Sequence, residues 1–234
     1  MLFGKLKCTY YILKANRAYT ADNAEGTIKW MQMAYNTGAA KSNTVTTYGY
    51  LLLKNGRLEE AMKVFEDQLN SSKTTNNELY NIKSNYALGL WKQGKLDEAI
   101  ETFENIIPNY KTTNVYGSLG YLYNLKGDLE KALAFNLEAL NYNSTGTVIL
   151  DNLGQTYYLM GEQEKALEIF NKLMALNPKF PEAFYDYSLV LEKLGDREKS
   201  IEMLRNAQNY KINYLSAVTK EDIDSKLAEL EAQQ

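Results

Sequence analysis

The chain has 234 residues, of which 24% are charged and 45% hydrophobic, and its formal net charge at pH 7 is −3. This composition is typical of a folded chain, and it disfavours nucleic acid as a ligand because no basic excess is present to displace counterions. The sequence has no histidine and one cysteine, Cys8, which excludes an internal disulfide and the commonest metal and acid–base chemistry.

Two helices are predicted before residue 38. Residues 2–19 carry an apolar stripe and residues 22–36 form the second helix, and we expect residues 1–38 to be a degenerate repeat or a cap. Lysines interrupt the apolar run that a secretory signal requires, and no later segment is apolar for the roughly 20 residues of a membrane helix, so a cytoplasmic protein is expected. The stripe consists of Leu6, Tyr10, Leu13 and Arg17.

Residues 1–20 also hold four basic residues and no acidic one. A basic amphipathic helix of this kind can lie on an anionic lipid surface. Membrane contact through residues 1–20 is therefore an alternative, although we prefer a capping helix packed on the first repeat. The basic residues are Lys5, Lys7, Lys14 and Arg17.

One pattern recurs five times after residue 40. It reads YALGLWKQGKLDEAIETF from Tyr86 to Phe103 and LGQTYYLMGEQEKALEIF from Leu153 to Phe170. The glycines that anchor the five copies are 38, 33, 34 and 34 residues apart, and they are Gly56, Gly94, Gly127, Gly161 and Gly195. A period near 34 residues with two helices per unit resembles the tetratricopeptide repeat family.

Each position of the pattern has a physical reason. The anchor glycine is expected to end the first helix in the left-handed conformation. Small residues in both helices allow a close crossing, and an aromatic or leucine side chain fills the space between the helices. One unit departs, because Asn136 stands where the others have Phe65, Phe103, Phe170 or Leu204, and Phe135 comes one residue early. This departure predicts a local rotation of that helix.

The resemblance implies an all-α, right-handed α-α superhelix of about five to six helix-turn-helix repeats with a C-terminal capping helix. Residues 39–210 would hold the repeats, and residues 211–234 a linker and the capping helix, which begins at a loose capping box of Thr219 and Asp222. Four extra residues near Asn70 to Asn77 predict a longer loop or a lengthened helix. The expected units are 42–72, 76–110, 112–144, 146–178 and 180–211.

The sequence contains no Walker loop, nucleophile elbow or His-Glu-x-x-His motif. Carboxylate pairs such as Asp97 and Glu98 fall in the first turn of a predicted helix, where they interact favourably with the helix dipole. We therefore expect no enzymatic activity, no catalytic residue, no metal and no cofactor.

The resemblance implies that the first helices line a concave groove that binds an extended peptide segment of a partner protein. Asn85 and Asn152 stand where the family often has an asparagine that hydrogen-bonds the peptide backbone, since an amide carries both donor and acceptor. The candidate groove residues are Asn43, Thr47, Tyr50, Asn81, Asn85, Trp91, Asn114, Ser118, Tyr121, Asp151, Asn152, Gln155, Tyr158, Tyr185 and Asp186.

The candidate partner is a protein with a neutral or basic extended segment. The C-terminal half of the groove would be anionic, which favours such a segment, through Asp151, Glu182, Asp186 and Glu192. Nucleic acid is not expected as a partner. Two further alternatives are a regulatory accessory subunit of an enzyme complex and self-association through an uncovered end or the groove.

Overall fold

A computed structural model describes residues 2–71 and 75–232. Within these ranges the chain forms thirteen helices and no strand, which confirms an all-α fold of helix-turn-helix pairs followed by a C-terminal helix. The helices are α1 (Leu2–Thr20), α2 (Ala24–Asn36), α3 (Ser42–Lys54), α4 (Leu58–Leu69), α5 (Asn76–Lys92), α6 (Leu96–Ile106), α7 (Thr113–Lys126), α8 (Leu129–Tyr142), α9 (Thr147–Leu159), α10 (Gln163–Ala175), α11 (Pro181–Lys193), α12 (Arg197–Ala207) and α13 (Lys220–Ala232).

The helices pack into two compact units, Met1–Ile106 and Ile107–Gln234. In the first unit, α1 pairs with α2, α3 with α4 and α5 with α6, while α3 and α4 also pack on α5. In the second unit, α7 pairs with α8, α9 with α10 and α11 with α12, and α13 packs on α12. None of the described helices is both long enough and apolar enough to cross a bilayer.

The five anchor glycines end the first helices as predicted. Their φ angles lie between 77° and 83°, in the left-handed region where a side chain is disfavoured. In each case the chain turns directly into the second helix. The turn between the two helices of each repeat therefore depends on its own glycine and not on residues of another repeat.

Glycines inside the first helices make room for the side chain of the second helix. A Cβ atom added to Gly154 would lie 2.7 Å from the ring of Phe170, and one added to Gly49 would lie 2.5 Å from the ring of Phe65. One added to Gly120 would lie 2.0 Å from Oδ1 of Asn136. Asn136 thus occupies the position of the phenylalanine, so the predicted local rotation of α8 is wrong.

The neighbouring Phe135 packs on a different surface. Its ring centroid lies 5.5 Å from that of Tyr116 and 5.2 Å from that of Tyr123, and it contributes to a small cluster with Ala139 and Ile149. The early phenylalanine therefore fills the space between α7 and α8, while the polar Asn136 faces α9.

The core of the second unit continues from α9 to α13. The rings of Phe170 and Tyr187 stack with centroids 5.5 Å apart, and Ile223 and Leu230 of α13 are buried in the same cluster. The predicted capping box is present, because the Thr219 backbone N–H donates to Asp222 Oδ2 and the Asp222 N–H donates to Thr219 Oγ1. The last helix therefore covers apolar surface of the repeats.

The extra residues before α5 lengthen that helix. It has 17 residues, compared with 13 in α3, and it begins at a capping box formed by Thr75 and Glu78. The predicted longer loop includes residues 72–74, which lie outside the described part of the chain.

Candidate functional site

The first helices of the second unit form a continuous surface. α7 packs on α9 and α9 packs on α11, whereas α8, α10 and α12 pack chiefly on these first helices. Contact among successive first helices places them on the inner side of the stack. We call the side chains that α7, α9 and α11 present there the inner face.

A chain of hydrogen bonds runs through the interior to this inner face. Asn136 Nδ2 donates to Thr156 Oγ1 at 3.0 Å, and the single hydroxyl proton of Thr156 is shared between Asn124 Oδ1 and the backbone oxygen of Asn152, each 2.7 Å away. Asn124 Nδ2 donates to Gln155 Oε1 at 3.1 Å, and Gln155 Nε2 donates to Asp186 Oδ2 at 3.4 Å. Such a network orients its members because each one accepts from the previous residue and donates to the next.

Asn152 does not offer its amide group to a ligand. The side chain is 2% exposed, and Nδ2 donates a 2.7 Å hydrogen bond to the backbone oxygen of Gly117. The interpretation of Asn152 as a peptide-binding amide therefore needs correction, because this donor already connects α9 to α7.

Seven other predicted residues on α7, α9 and α11 keep accessible side chains. Asn114 is exposed and the others are half-buried, which is the environment of residues that can contact a ligand without losing their place in the fold. They are Asn114, Ser118, Tyr121, Gln155, Tyr158, Tyr185 and Asp186.

The inner face is acidic where α9 and α11 meet. Burial raises the pKa of Asp186 to about 7, with a further contribution from the charge of Glu182. Burial also raises the pKa of Asp151 well above its usual range, and the charges of Asp186 and Glu182 add to the effect. Negative charge is disfavoured at both groups because burial removes part of their hydration and other carboxyl groups lie nearby.

Tyrosine hydroxyls surround these carboxylates. Burial raises the pKa of Tyr121 to about 12, and the charges of Asp186, Glu182 and Asp151 contribute. Burial likewise raises the pKa values of Tyr158 and Tyr185. Three successive first helices thus contribute aromatic groups near one acidic region.

The remaining predicted residues lie on α3 and α5 of the first unit. Asn43 and Thr47 are exposed on α3, and Tyr50 is 37% exposed. Asn81 and Asn85 are half-buried on α5, and Nδ2 of Asn85 donates to the backbone oxygen of Asn81 at 2.8 Å. This hydrogen bond lies within one helix, so it does not connect Asn85 to another repeat.

Trp91 is the remaining predicted residue of the first unit. It is half-buried at the end of α5, and Nζ of Lys92 lies 3.9 Å from its ring centroid. A cation at this distance is attracted to the face of the indole. Trp91 therefore already contacts a cation of its own helix.

Helix α1 leaves an apolar stripe exposed. Cys8 and Ala15 face inward, whereas Phe3, Leu6, Tyr10 and Leu13 are between 52% and 76% exposed. Lys7 and Lys14 lie along one side of this stripe, with each ammonium within 6 Å of a ring. The spacing of the stripe was evident from the sequence, but its exposure was not.

Sequence reasoning missed the buried polar residues behind the inner face. Asn124, Asn136 and Thr156 connect α7, α8 and α9, a structural role that the repeat pattern did not predict for any of them. The available signal was the asparagine at a position where the other repeats have phenylalanine or leucine. Among the described residues, no group of three or more His, Cys, Asp and Glu side chains is arranged to hold a metal ion.

Models of the tetratricopeptide repeat match residues 44–75, 86–145, 148–180 and 181–211. These segments cover the five repeated copies. The chain belongs to the tetratricopeptide repeat family. Proteins of this family generally serve as protein-interaction adaptors, and the repeats support that general role for this tetratricopeptide protein.

Solved structures share the fold of this tetratricopeptide protein at low identity. The thermophilic tetratricopeptide protein TTC0263 of Thermus thermophilus is 20% identical, with a TM-score of 0.66 over 82% of this chain and 100% of that chain. Pseudomonas aeruginosa pilF is 12% identical, with a TM-score of 0.67 over 99% of both chains.

A tetratricopeptide repeat protein from Parabacteroides merdae ATCC 43184 is 12% identical, with a TM-score of 0.54 over 97% of this chain and 99% of that chain. No curated protein sequence matches this one. The similarities therefore concern the fold.

Proposed function

We propose that the protein is a non-catalytic adaptor that binds an extended segment of a partner protein along the inner face of α7, α9 and α11. The observation that carries this proposal is the convergence of half-buried amide, tyrosine and carboxyl groups from three successive first helices. Tyrosines supply contact area with few rotatable bonds, and amides supply both donors and acceptors.

The charge of the inner face favours partner segments of a particular charge. Glu182 contributes to the raised pKa of both Asp151 and Asp186, and Asp186 contributes to that of Asp151, which is consistent with three neighbouring carboxyl groups. Within the described residues none of them forms an ion pair with a lysine or arginine. Complementarity of potential therefore favours a neutral or basic segment over an acidic one.

Site-specific photo-crosslinking tests the proposal. A benzophenone amino acid replaces Asn114, which is exposed on α7, and in a matched control it replaces Ala134, which is exposed on α8. Both proteins are irradiated in lysate of the organism that makes the protein. We expect one partner peptide to be recovered from position 114 and not from position 134, and equal recovery from both positions would contradict binding at the inner face.

The cross-linked peptide also distinguishes the alternatives. A peptide from an enzyme subunit would indicate an accessory role, and a peptide of this same chain would indicate self-association. The Tyr158→Ala variant is expected to lower the yield from position 114, because it removes a half-buried ring from the inner face.

A second candidate function is contact with an anionic lipid surface through α1. The supporting observation is the exposed stripe with lysines beside it, since apolar side chains enter the headgroup region while lysines reach its phosphates. We expect the protein to sediment with vesicles containing phosphatidylglycerol and not with phosphatidylcholine alone.

A surface variant is the appropriate test of this second function. Leu6→Asp/Leu13→Asp changes two exposed positions of α1 and is expected to abolish sedimentation, whereas Leu137→Asp changes an exposed leucine of α8 and is not. If the parent protein fails to sediment with anionic vesicles, α1 is not a lipid-binding helix.

A further inference from the structure

Three carboxyl groups meet on the inner face without a compensating cation. Asp151 projects from α9, and Glu182 and Asp186 project from successive turns of α11. The charges of all three raise the pKa of Tyr121 on α7, so the four side chains lie close to one another. This arrangement depends on three different repeats.

Two of the carboxylates are held in place by the protein. Glu182 Oε1 accepts a 2.8 Å hydrogen bond from the backbone N–H of Ala217, in the segment before α13. Asp186 Oδ2 accepts from Gln155, the last link of the hydrogen-bond chain that begins at Asn136. These partners orient the carboxyl groups but are neutral, so they supply no positive charge.

Asp151 differs from both because one of its carboxyl oxygens is buried without a hydrogen-bond partner. Its side chain is 6% exposed, and its Oδ1 atom is buried with no hydrogen bond. A buried polar atom without a partner is costly, and native proteins rarely retain one without a reason. Asp151 lies one helical turn before Gln155, whose amide donates to Asp186, and the charges of Asp186 and Glu182 act on it, so the Asp151 carboxyl group belongs to the acidic cluster.

We propose that Asp151, Glu182 and Asp186 form a subsite that takes one lysine or arginine side chain of the bound segment. This inference rests on the proposed function, because the cation arrives on the partner. An ammonium or guanidinium group supplies both the missing donor to Asp151 Oδ1 and the positive charge that the cluster lacks.

The free protein compensates for the missing cation by retaining protons. The carboxyl group of Asp186, with a pKa of about 7, is faced by Glu182, Asp151, Tyr121, Tyr158 and Tyr185. These groups are acidic or neutral. The ammonium of Lys226 on α13 acts on Tyr158 and Tyr185, but it is paired with Glu192 and Glu229 and does not contribute to the pKa of Asp186. Binding of a cation must therefore release protons near neutral pH, and the affinity must rise with pH.

Peptide arrays supply the probe for the test. Heptapeptides of random sequence carry a fixed central lysine, arginine or norleucine, and the full chain is applied at pH 8. We expect the lysine and arginine sets to contain the strong binders. The best lysine peptide and its norleucine analogue are then measured by titration calorimetry against the parent protein.

The variants identify the subsite. Asp151→Asn and Asp186→Asn are each expected to lower the affinity for the lysine peptide at least about tenfold. The affinity for the norleucine analogue should change less than about twofold. Glu164→Gln removes one negative charge from an exposed position of α10, and we expect it to change the affinity for neither peptide. Calorimetry of the parent in two buffers of different ionisation enthalpy should show proton release with the lysine peptide and none with its analogue.

The experiments distinguish failure of the proposed subsite from failure of the proposed peptide-binding function. Suppose that peptides bind the parent and bind Tyr158→Ala more weakly, so that the peptide-binding function stands. The subsite is then overturned if lysine and arginine peptides bind no more tightly than norleucine peptides, or if their higher affinity persists in both Asp151→Asn and Asp186→Asn. If no peptide of any set binds, the proposed function itself is overturned. Thermal unfolding shows that the variants are folded, and Asp151→Asn is expected to melt no lower than the parent at pH 8.

Discussion

The side-chain amide of Asn152 donates a hydrogen bond of 2.7 Å to the backbone oxygen of Gly117, across the contact between α9 and α7. Helix α7 has a second connection nearby, because Asn124 Nδ2 donates to the backbone oxygen of Asn152 at 2.8 Å. A position that the family pattern associates with ligand binding therefore has a structural role in this chain.

Replacing Asn152 should destabilise the protein. Asn152→Ala removes the hydrogen bond that connects α9 to α7, while the Gly117 oxygen keeps its hydrogen bond within α7. We therefore expect the free energy of unfolding to fall by about 0.5–1.5 kcal/mol. Urea denaturation followed by circular dichroism measures the change. Asn114→Ala, at an exposed position of the preceding first helix, is the control and should stay within about 0.5 kcal/mol of the parent.

The close crossing of α9 and α10 predicts the effect of filling a glycine. Gly154→Ala gains about 1 kcal/mol of helix propensity, but its methyl group would meet the Phe170 ring at 2.7 Å, and overpacking of this kind costs roughly 1–3 kcal/mol. We expect a net loss of stability that Phe170→Leu partly reverses in a double-mutant cycle.

A glycine outside the helix crossings provides the comparison. A Cβ atom at Gly4 in α1 would have its nearest neighbours at 3.9 Å, which is ordinary contact. Gly4→Ala should therefore be neutral or slightly stabilising in the same denaturation experiment. If Gly154→Ala were equally benign, the helix crossing would be looser than the structure indicates.

The acidic cluster predicts that the free protein loses stability as the pH rises. The native state holds protons on Asp151 and Asp186 that the unfolded chain releases above its usual carboxyl pKa. Stability from this source is therefore fully present below about pH 4 and lost as pH rises through the native value near 7.

The pH effect is measured by urea denaturation at pH 5 and pH 8. In the parent, Asp186 should lower the free energy of unfolding by about 1–3 kcal/mol between pH 5 and pH 8. This contribution should be absent in Asp186→Asn. Glu164→Gln should show the same fall as the parent. An identical pH dependence in Asp186→Asn and the parent would show that Asp186 is ionised throughout this range.

Two arginines of α12 contact the C-terminal helix, one at a half-buried site and one at an exposed site. The Arg197 guanidinium donates to the backbone oxygen of Leu230 through Nε at 2.7 Å and also through Nη2, whereas Arg205 pairs with Glu231 at an exposed site. Arg197→Ala is expected to cost about 1.5–3 kcal/mol, and Arg205→Ala less than about 1 kcal/mol. Hydrogen exchange of α13 should increase in the first variant and change little in the second.

Much of the local structure was evident in the sequence. The anchor glycines take the left-handed conformation, and both Thr219 and Asp222 make the reciprocal capping bonds. These features depend on residues within a few positions of one another, so the pattern contains the physical information. The predicted unit boundaries and the role of residues 1–38 as a cap stay predictions.

The site was predicted less well because its properties depend on neighbours from other repeats. Asp151 and Asn152 are adjacent in the sequence, yet the first has an oxygen without a partner and the second donates to Gly117. Spacing along a helix predicts which side a residue faces. It does not predict which atom of the next helix lies within hydrogen-bond distance.

The sequence alone determined the repeat, its period and the all-α fold, because helix periodicity, glycine turns and small residues at crossings are encoded within each unit of about 34 residues. Only the tertiary structure decided that α8 is not rotated, so that Asn136 lies against Gly120, that a hydrogen-bond chain leads from Asn136 to Asp186, and that Asp151 is buried beside other carboxyl groups. Burial and charge at these positions arise from packing between helices, and one repeat does not contain the residues of the next.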